Sequence, residues 1–163
     1  SSSINYPASL ANTIAVGAMS PCGERKNPNS CDGESWGSNY GSGLDVVAPG
    51  VLIPTTTINN GYNLSFNGTS SACPHAAGVM ALILSANPCL TATEAREILC
   101  STCDKLSGYS YNYNEEYGSW NTEVGYGKIN AFKAGTTNNY LWHIFSYFSQ
   151  NFEKNCCKVK NMW

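Results

Sequence analysis

Residues 68–78 read Gly-Thr-Ser-Ser-Ala-Cys-Pro-His-Ala-Ala-Gly, and they open an apolar segment that continues to Ala86. From Ser71 onward this segment carries no formal charge and is apolar nearly all round, which predicts a buried central helix. Proline is best tolerated in the first helical turn, so Pro74 places the start of the helix at about residues 69–71. An Asn-Pro pair ends it.

Ser70 lies at the predicted start of this helix, just after Gly68, which lets the chain turn sharply. A serine hydroxyl is a weak nucleophile at its own pKa, so a catalytic serine needs exposure, a base and an oxyanion donor. The backbone N–H of Ser70 would be an unpaired donor at the positive end of the helix dipole, which is half of an oxyanion hole. The alternative is that Thr69 or Ser70 only caps the helix.

The segments before the helix predict a sheet and a hairpin. Residues 13–18 and 44–49 are short apolar runs ended by glycine and proline, which predicts strands buried on both faces, as in a parallel sheet. Residues 51–57 and 62–66 flank an Asn-Gly turn signal, and the second run alternates apolar and polar residues. This pattern predicts an antiparallel hairpin with one face in solvent.

Two further helices are predicted after the central one. Thr91 and Glu94 have the spacing of a capping box, which opens a helix that runs to about Cys103. Residues 129–134 predict a last short helix, preceded by a tight turn between two glycines.

At every fixed position, residues 68–78 match the pattern G-T-S-x-A-x-P-H-x-A-G, the serine-nucleophile motif of the subtilases. The chain therefore resembles this family of serine peptidases, and the resemblance covers about residues 4–134. Four other segments resemble family blocks: Tyr6-Pro7-Ala8 with residues 14–18, Leu-Asp-Val-Val-Ala-Pro-Gly at 44–50, the helical residues 81–84, and residues 125–131.

The resemblance implies an α/β fold: residues 1–135 would be the C-terminal part of a subtilisin-like three-layer sandwich, with a parallel sheet, a buried central helix and a β-hairpin before it. Because the family cleaves peptide bonds, the expected function of the complete protein is serine-type endopeptidase, acting on proteins or peptides. By the same resemblance, Ser70 is the nucleophile, and the Thr69 hydroxyl supports the oxyanion hole. Ile4 and Asn5 would line the pocket for the residue before the scissile bond.

The resemblance also bears on cofactors. The backbone carbonyls around Ala8, Leu10 and Thr13 match a weak cation site of some family members. We expect that site not to be occupied in this chain and expect no metal or other cofactor here, although calcium can bind in the complete family domain.

The catalytic set is incomplete in this chain. A subtilase triad needs an aspartate and a histidine, and its oxyanion hole an asparagine, from upstream blocks that do not occur here. His75 follows Ser70 by five residues on one helix, which turns it about 140° away, so we expect a structural role. His143 has no triad context, and Asp45 matches a structural strand position. The chain alone is therefore expected to be inactive, with the N-terminal part of the domain as its partner.

Eight cysteines are many for 163 residues. Cys22 and Cys31 flank a short polar stretch that a surface disulfide could close, whereas Cys100 and Cys103 lack the second pair of a zinc ribbon. Disulfides and buried apolar thiols stay equally open for the cysteines as a set, which also includes Cys73, Cys89, Cys156 and Cys157.

Charge separates the chain into two parts. Only 12% of residues are charged and the net charge is −2, which leaves no basic surface for nucleic acid and is typical of secreted proteins.

Residues 136–163 form a divergent aromatic and basic tail, whose spacing predicts an amphipathic helix that could contact a membrane surface or a partner. The alternative is a tail without a selected function. No apolar run reaches the ~18–20 residues of a membrane span.

Two functions remain in competition. The first is an extracellular serine endopeptidase of which this chain is a portion. The second is a non-catalytic interaction module, or a truncated relic, derived from a subtilase.

Overall fold

The computed structural model describes residues 1–137 and shows a mixed α/β fold with a parallel sheet. Its elements in chain order are β1 (Val16–Met19), β2 (Val46–Pro49), β3 (Ile53–Thr57), β4 (Gly61–Phe66), α1 (Thr69–Ala86), α2 (Ala92–Ser101), β5 (Tyr113–Glu115) and β6 (Gly118–Trp120). Residues 131–137 are also helical. From residue 138 onward the predicted tail, with His143, Cys156 and Cys157, lies outside the described residues.

The parallel pair β1–β2 is buried on both faces, as the apolar runs predict. Val16 pairs with Val46, and the register continues to Met19 and Pro49. Successive side chains of a strand point to opposite faces. Accordingly, Val46 packs into the cluster formed by the helices, while Val47 packs into a separate cluster with Leu44 and Val124.

The limits of α1 agree with the prediction. Gly68 is its N-cap and Asn87 its C-cap, so neither Thr69 nor Ser70 occupies the capping position. Pro74 falls in the second turn rather than the first. A proline there removes the hydrogen bond that residue 74 would donate to the Ser70 carbonyl and its ring crowds that carbonyl, yet the helix continues to Ala86.

Helix α1 buries one face rather than its whole circumference. The opposite face is exposed in the part of the chain that the structure describes, with Leu82 at 55% and Leu84 at 38% exposure. The reason is that β1, β2 and α2 cover only one side of the helix. The residues on that covered side are Ser71, Ala72, Ala76, Val79 and Ile83.

Strands β3 and β4 form the predicted antiparallel hairpin, but both of its faces are largely in solvent. Tyr62 and Leu64, which the alternating pattern assigned to a covered face, are 78% and 72% exposed. The hairpin makes its main contacts within itself, so no described element covers those side chains. The expectation of one wet face was therefore wrong for the described residues.

Helix α2 begins with the predicted capping box and is tied to the sheet by a half-buried ion pair. Glu94 accepts a hydrogen bond from the Thr91 N–H at 2.7 Å. Arg96 donates to Oδ1 of the buried Asp45 at 2.8 Å, and Oδ2 of Asp45 accepts the Ala15 N–H at 2.8 Å. Asp45 therefore links α2 to the segment just before β1.

The described cysteines include one disulfide and two buried thiols, while Cys73 is exposed and Cys89 half-buried. Cys22 and Cys31 form a disulfide, which confirms the pairing that the sequence suggested. Cys100 and Cys103 are buried thiols. Burial raises the pKa of Cys103 to about 12 and also raises that of Cys100, so both are protonated apolar groups at neutral pH.

The loop between β1 and β2 encloses an ion pair. The Lys26 ammonium lies 2.8 Å from Asp32 Oδ1, and both side chains are inaccessible to solvent. Burial acts to raise the pKa of Asp32, but the hydrogen bond and charge of Lys26 outweigh it and hold the pKa below its ordinary value of 3.8.

No helix in the described region is long and apolar enough to cross a bilayer.

Replacing Asp45 with alanine should lower the free energy of unfolding by about 2–4 kcal/mol, because Arg96 and the Ala15 N–H lose a buried acceptor. Guanidinium unfolding followed by tryptophan fluorescence measures this change. The matched control is Glu97→Ala on the exposed side of α2, which should stay within about 0.5 kcal/mol of wild type. Equal effects of the two changes would contradict the linking role of Asp45.

The Asp32–Lys26 pair should make stability depend on acid pH. Because the folded-state pKa of Asp32 is lowered, its contribution is present above pH 3.8 and is lost as the pH falls through the folded value. Asp32→Asn should therefore flatten the decline of the unfolding free energy as the pH falls below 3.8. Guanidinium midpoints at several pH values test this, and an unchanged decline would show that the pair does not form.

Candidate active site

The turn that carries Ser70 is set by Gly68. Its φ of 131° is a conformation that favours glycine, and the turn places Ser70, exposed, in the first turn of α1. The first N–H groups of a helix have no intrahelical acceptor, so the Ser70 N–H is available. The hydroxyl of the next residue, Ser71, donates to the Gly68 carbonyl at 2.8 Å. Of these two serines, Ser70 is exposed and Ser71 is buried.

The turn is fastened on its N-terminal side. The Gly68 N–H donates to the Gly50 carbonyl at 2.8 Å. Asn67 accepts a hydrogen bond from the Leu52 N–H at 2.7 Å, and its amide nitrogen donates to Glu34 Oε1 at 2.9 Å. Sequence reasoning missed the bond between Asn67 and Glu34, because the two residues lie 33 positions apart and no motif connects them.

A cavity of about 400 Å³ lies next to Ser70. The structure brings all four residues that the resemblance assigned to the site, Ile4, Asn5, Thr69 and Ser70, to the lining of this one cavity. Another part of the lining, which the sequence analysis did not identify, comes from residues 36–39 of the β1–β2 loop. The cavity is thus lined by segments that are distant in sequence, and Ala15, Val16 and Leu44 also contribute to it.

His75 does not act on Ser70 in this structure. Its Nδ1 donates to the Ser71 carbonyl at 2.7 Å, which confirms that the ring is hydrogen-bonded to the backbone. Ser70 and His75 both line a second cavity of about 450 Å³, to which Phe66 and Pro74 also contribute. Within residues 1–137, no hydrogen bond joins His75 to the Ser70 hydroxyl.

The residues of the predicted cation site do not fit calcium. The Thr13 hydroxyl lies 2.7 Å from the Leu10 carbonyl and 2.9 Å from that of Ala8, so these oxygens already face a hydroxyl group. Calcium prefers six to eight oxygen ligands, commonly including carboxylates. No group of three or more His, Cys, Asp or Glu residues suited to a metal occurs in the described part of the chain.

Comparisons with known proteins agree on one family. The model of the Subtilase family matches residues 1–127. Alkaline elastase YaB from Bacillus sp. (strain YaB) is 38% identical over 128 residues, which cover 78% of this chain and 28% of that protein. Subtilisin amylosacchariticus from Bacillus subtilis subsp. amylosacchariticus is 43% identical over 115 residues, which cover 71% and 27%.

Solved structures show the same likeness. Fervidolysin from Fervidobacterium pennivorans, described as a keratinolytic enzyme related to subtilisin, has a TM-score of 0.63 at 26% identity, over 80% of this chain and 20% of that one. A protease from Pseudoalteromonas arctica has a TM-score of 0.61 at 27% identity, over 82% and 38%. The chain spans between about a fifth and two fifths of the length of these relatives. It belongs to the subtilase family.

Proposed function

We propose that this chain is the C-terminal portion of the catalytic domain of a serine endopeptidase, in which Ser70 attacks the carbonyl carbon of a peptide bond. The observation that carries the proposal is the position of Ser70: exposed, in the first turn of α1 and beside a cavity. Family membership supports the same reaction class.

The chemistry follows from this position. As the Ser70 oxygen bonds to the carbonyl carbon, negative charge develops on the carbonyl oxygen. The Ser70 N–H, at the positive end of an 18-residue helix, would donate to that oxygen without reorganising. The exposed Thr69 hydroxyl would support the same hole, and removal of one such donor typically costs a factor of about 10²–10³ in kcat.

The proton of Ser70 must pass to a base that lies outside the described residues, because His75 is engaged by the backbone. We assign the triad histidine and aspartate, and the oxyanion asparagine, to an N-terminal part of the same domain. The exposed apolar face of α1 supports this assignment, since Leu82 and Leu84 would be covered by such a part. The chain's span of only about a quarter of its curated relatives supports it as well.

The cavity beside Ser70 is proposed to hold the substrate side chain before the scissile bond. Ile4 and Asn5 would form one side of it and Trp36 another, and the substrate would be a protein or peptide. The disulfide and the low charge suit an extracellular enzyme. Any calcium would be held elsewhere in the complete domain; two relatives, from Trichormus variabilis and Nostoc sp., are named calcium-dependent proteases.

In the complete natural protein, Ser70→Ala should abolish peptide hydrolysis and labelling by a fluorophosphonate, since no other oxygen replaces the nucleophile. The expected loss in kcat is about 10⁶-fold. Ser85→Ala, an exposed serine near the other end of α1, is the matched control and should keep full labelling. Labelling that survives Ser70→Ala would refute the assignment.

The 163-residue chain alone should give no serine-dependent turnover of a peptide substrate, because it brings the nucleophile without a base. Hydrolysis of a fluorogenic peptide, with and without a phosphonate inhibitor, measures this. Phosphonate-sensitive hydrolysis would mean that the chain holds a base. A cooperative melt of a soluble monomer would instead favour the interaction module.

A further inference from the structure

The loop of residues 20–38, between β1 and β2, reaches both the cavity and the nucleophile turn. Trp36 and Ser38 lie in the cavity lining, while Glu34 contacts Asn67, the residue before Gly68. One loop therefore touches two parts of the candidate site that belong to different segments.

This loop is held from within by the Lys26 ammonium. Its three N–H donors find Asp32 Oδ1 at 2.8 Å, the Asn27 carbonyl at 2.9 Å and the Glu34 carbonyl at 2.7 Å. A fully buried ammonium raises the free energy of the folded state unless it is paired and hydrogen-bonded. Any loop conformation that breaks these contacts is therefore disfavoured. The backbone of Glu34 is fixed as a result.

The disulfide closes the same loop. Cys22 and Cys31 stand on either side of Lys26, and the Asp32 carboxylate, directly after Cys31, accepts the Glu34 N–H at 2.9 Å. The backbone of Glu34 is therefore anchored through both its N–H and its carbonyl. Because its backbone is anchored, the Glu34 side chain can restrain the residue to which it is hydrogen-bonded.

Glu34 contacts the nucleophile turn by a charge-assisted hydrogen bond. Its Oε1 accepts the Asn67 amide at 2.9 Å, and the other end of that amide accepts the Leu52 N–H. Bonds of this kind, with an ionised acceptor, are about twice as strong as neutral ones. Asn67 is thus held at both ends of its side chain, immediately before the residue whose positive φ turns the chain toward Ser70.

We propose that Glu34 is a positioning residue for the Ser70 turn, acting through Asn67, and that the disulfide-closed loop is its support. The proposal rests on the peptidase function proposed above. Glu34 touches no reacting atom; it restricts the turn so that the Ser70 oxygen stands in attack geometry.

Loss of this restriction should affect kcat more than KM. A displacement of about 1 Å in a reacting group can cost about 10²-fold in rate. Glu34→Ala removes only the link to Asn67, because Lys26 still binds the carbonyl of residue 34 and keeps Trp36 at the cavity. We therefore expect kcat to fall about tenfold to a hundredfold while KM stays within about twofold.

The test compares three variants of the complete natural protein: Glu34→Ala, Glu34→Gln and the control Glu97→Ala, which removes an exposed carboxylate on α2. Two readouts are taken: hydrogen exchange of the amides of residues 67–72 by mass spectrometry, and the rate of fluorophosphonate labelling together with kcat and KM. Glu34→Ala should speed the exchange about tenfold or more and slow the labelling. Glu34→Gln keeps an acceptor oxygen and should recover most of both, and Glu97→Ala should match wild type.

If Glu34→Ala unfolds, Asn67→Ala breaks the same bond from the other side and should give the same increase in exchange. Exchange at residues 67–72 within about twofold of wild type in the folded variant would overturn the proposal, as would equal losses in Glu34→Ala and Glu34→Gln. Wild-type protein that shows no Ser70-dependent labelling would overturn the peptidase function instead, and the exchange data would still decide the role of Glu34.

Discussion

The close approach of Gly50 to Gly68 is the constraint on which the candidate site depends. The Gly50 N–H donates to the Met19 carbonyl at the end of β1, and the Gly50 carbonyl accepts the Gly68 N–H before α1. A Cβ at position 50 would collide with Ala18. The end of the parallel pair and the start of the helix therefore meet across one glycine, and the position of Ser70 follows from the position of the sheet.

Because the helix starts at the end of the parallel pair, the hydrogen bonds that hold the Ser70 turn lie at that end of the sheet. Gly68 before the helix has a positive φ, and Asn67 directly before it is hydrogen-bonded to Leu52, just ahead of the hairpin, and to Glu34 of the β1–β2 loop. The apolar clusters on both faces of the sheet form the base for these bonds. Packing fixes the strands, and hydrogen bonds fix the site at their edge.

Local signals predicted most of the elements, because capping and turn preferences depend on neighbouring residues. The start of α1, the Thr91–Glu94 capping box and the Asn-Gly hairpin all agree with the structure. The Glu34–Asn67 bond was not predictable, since it depends on how a long polar loop folds back. The exposed face of α1 was also missed, because the apolar pattern of a helix does not say which neighbours are there to cover it.

The central claim is that Ser70 is a nucleophile whose own N–H lies in the oxyanion hole. A crystal structure of the complete natural protein after reaction with a peptidyl phosphonate tests it most directly. The account predicts a bond from the Ser70 oxygen to phosphorus, a phosphonyl oxygen about 2.7–3.1 Å from the Ser70 nitrogen, and a side chain in the cavity lined by Ile4 and Asn5. An adduct on another residue, or a phosphonyl oxygen directed away from the start of α1, would contradict it.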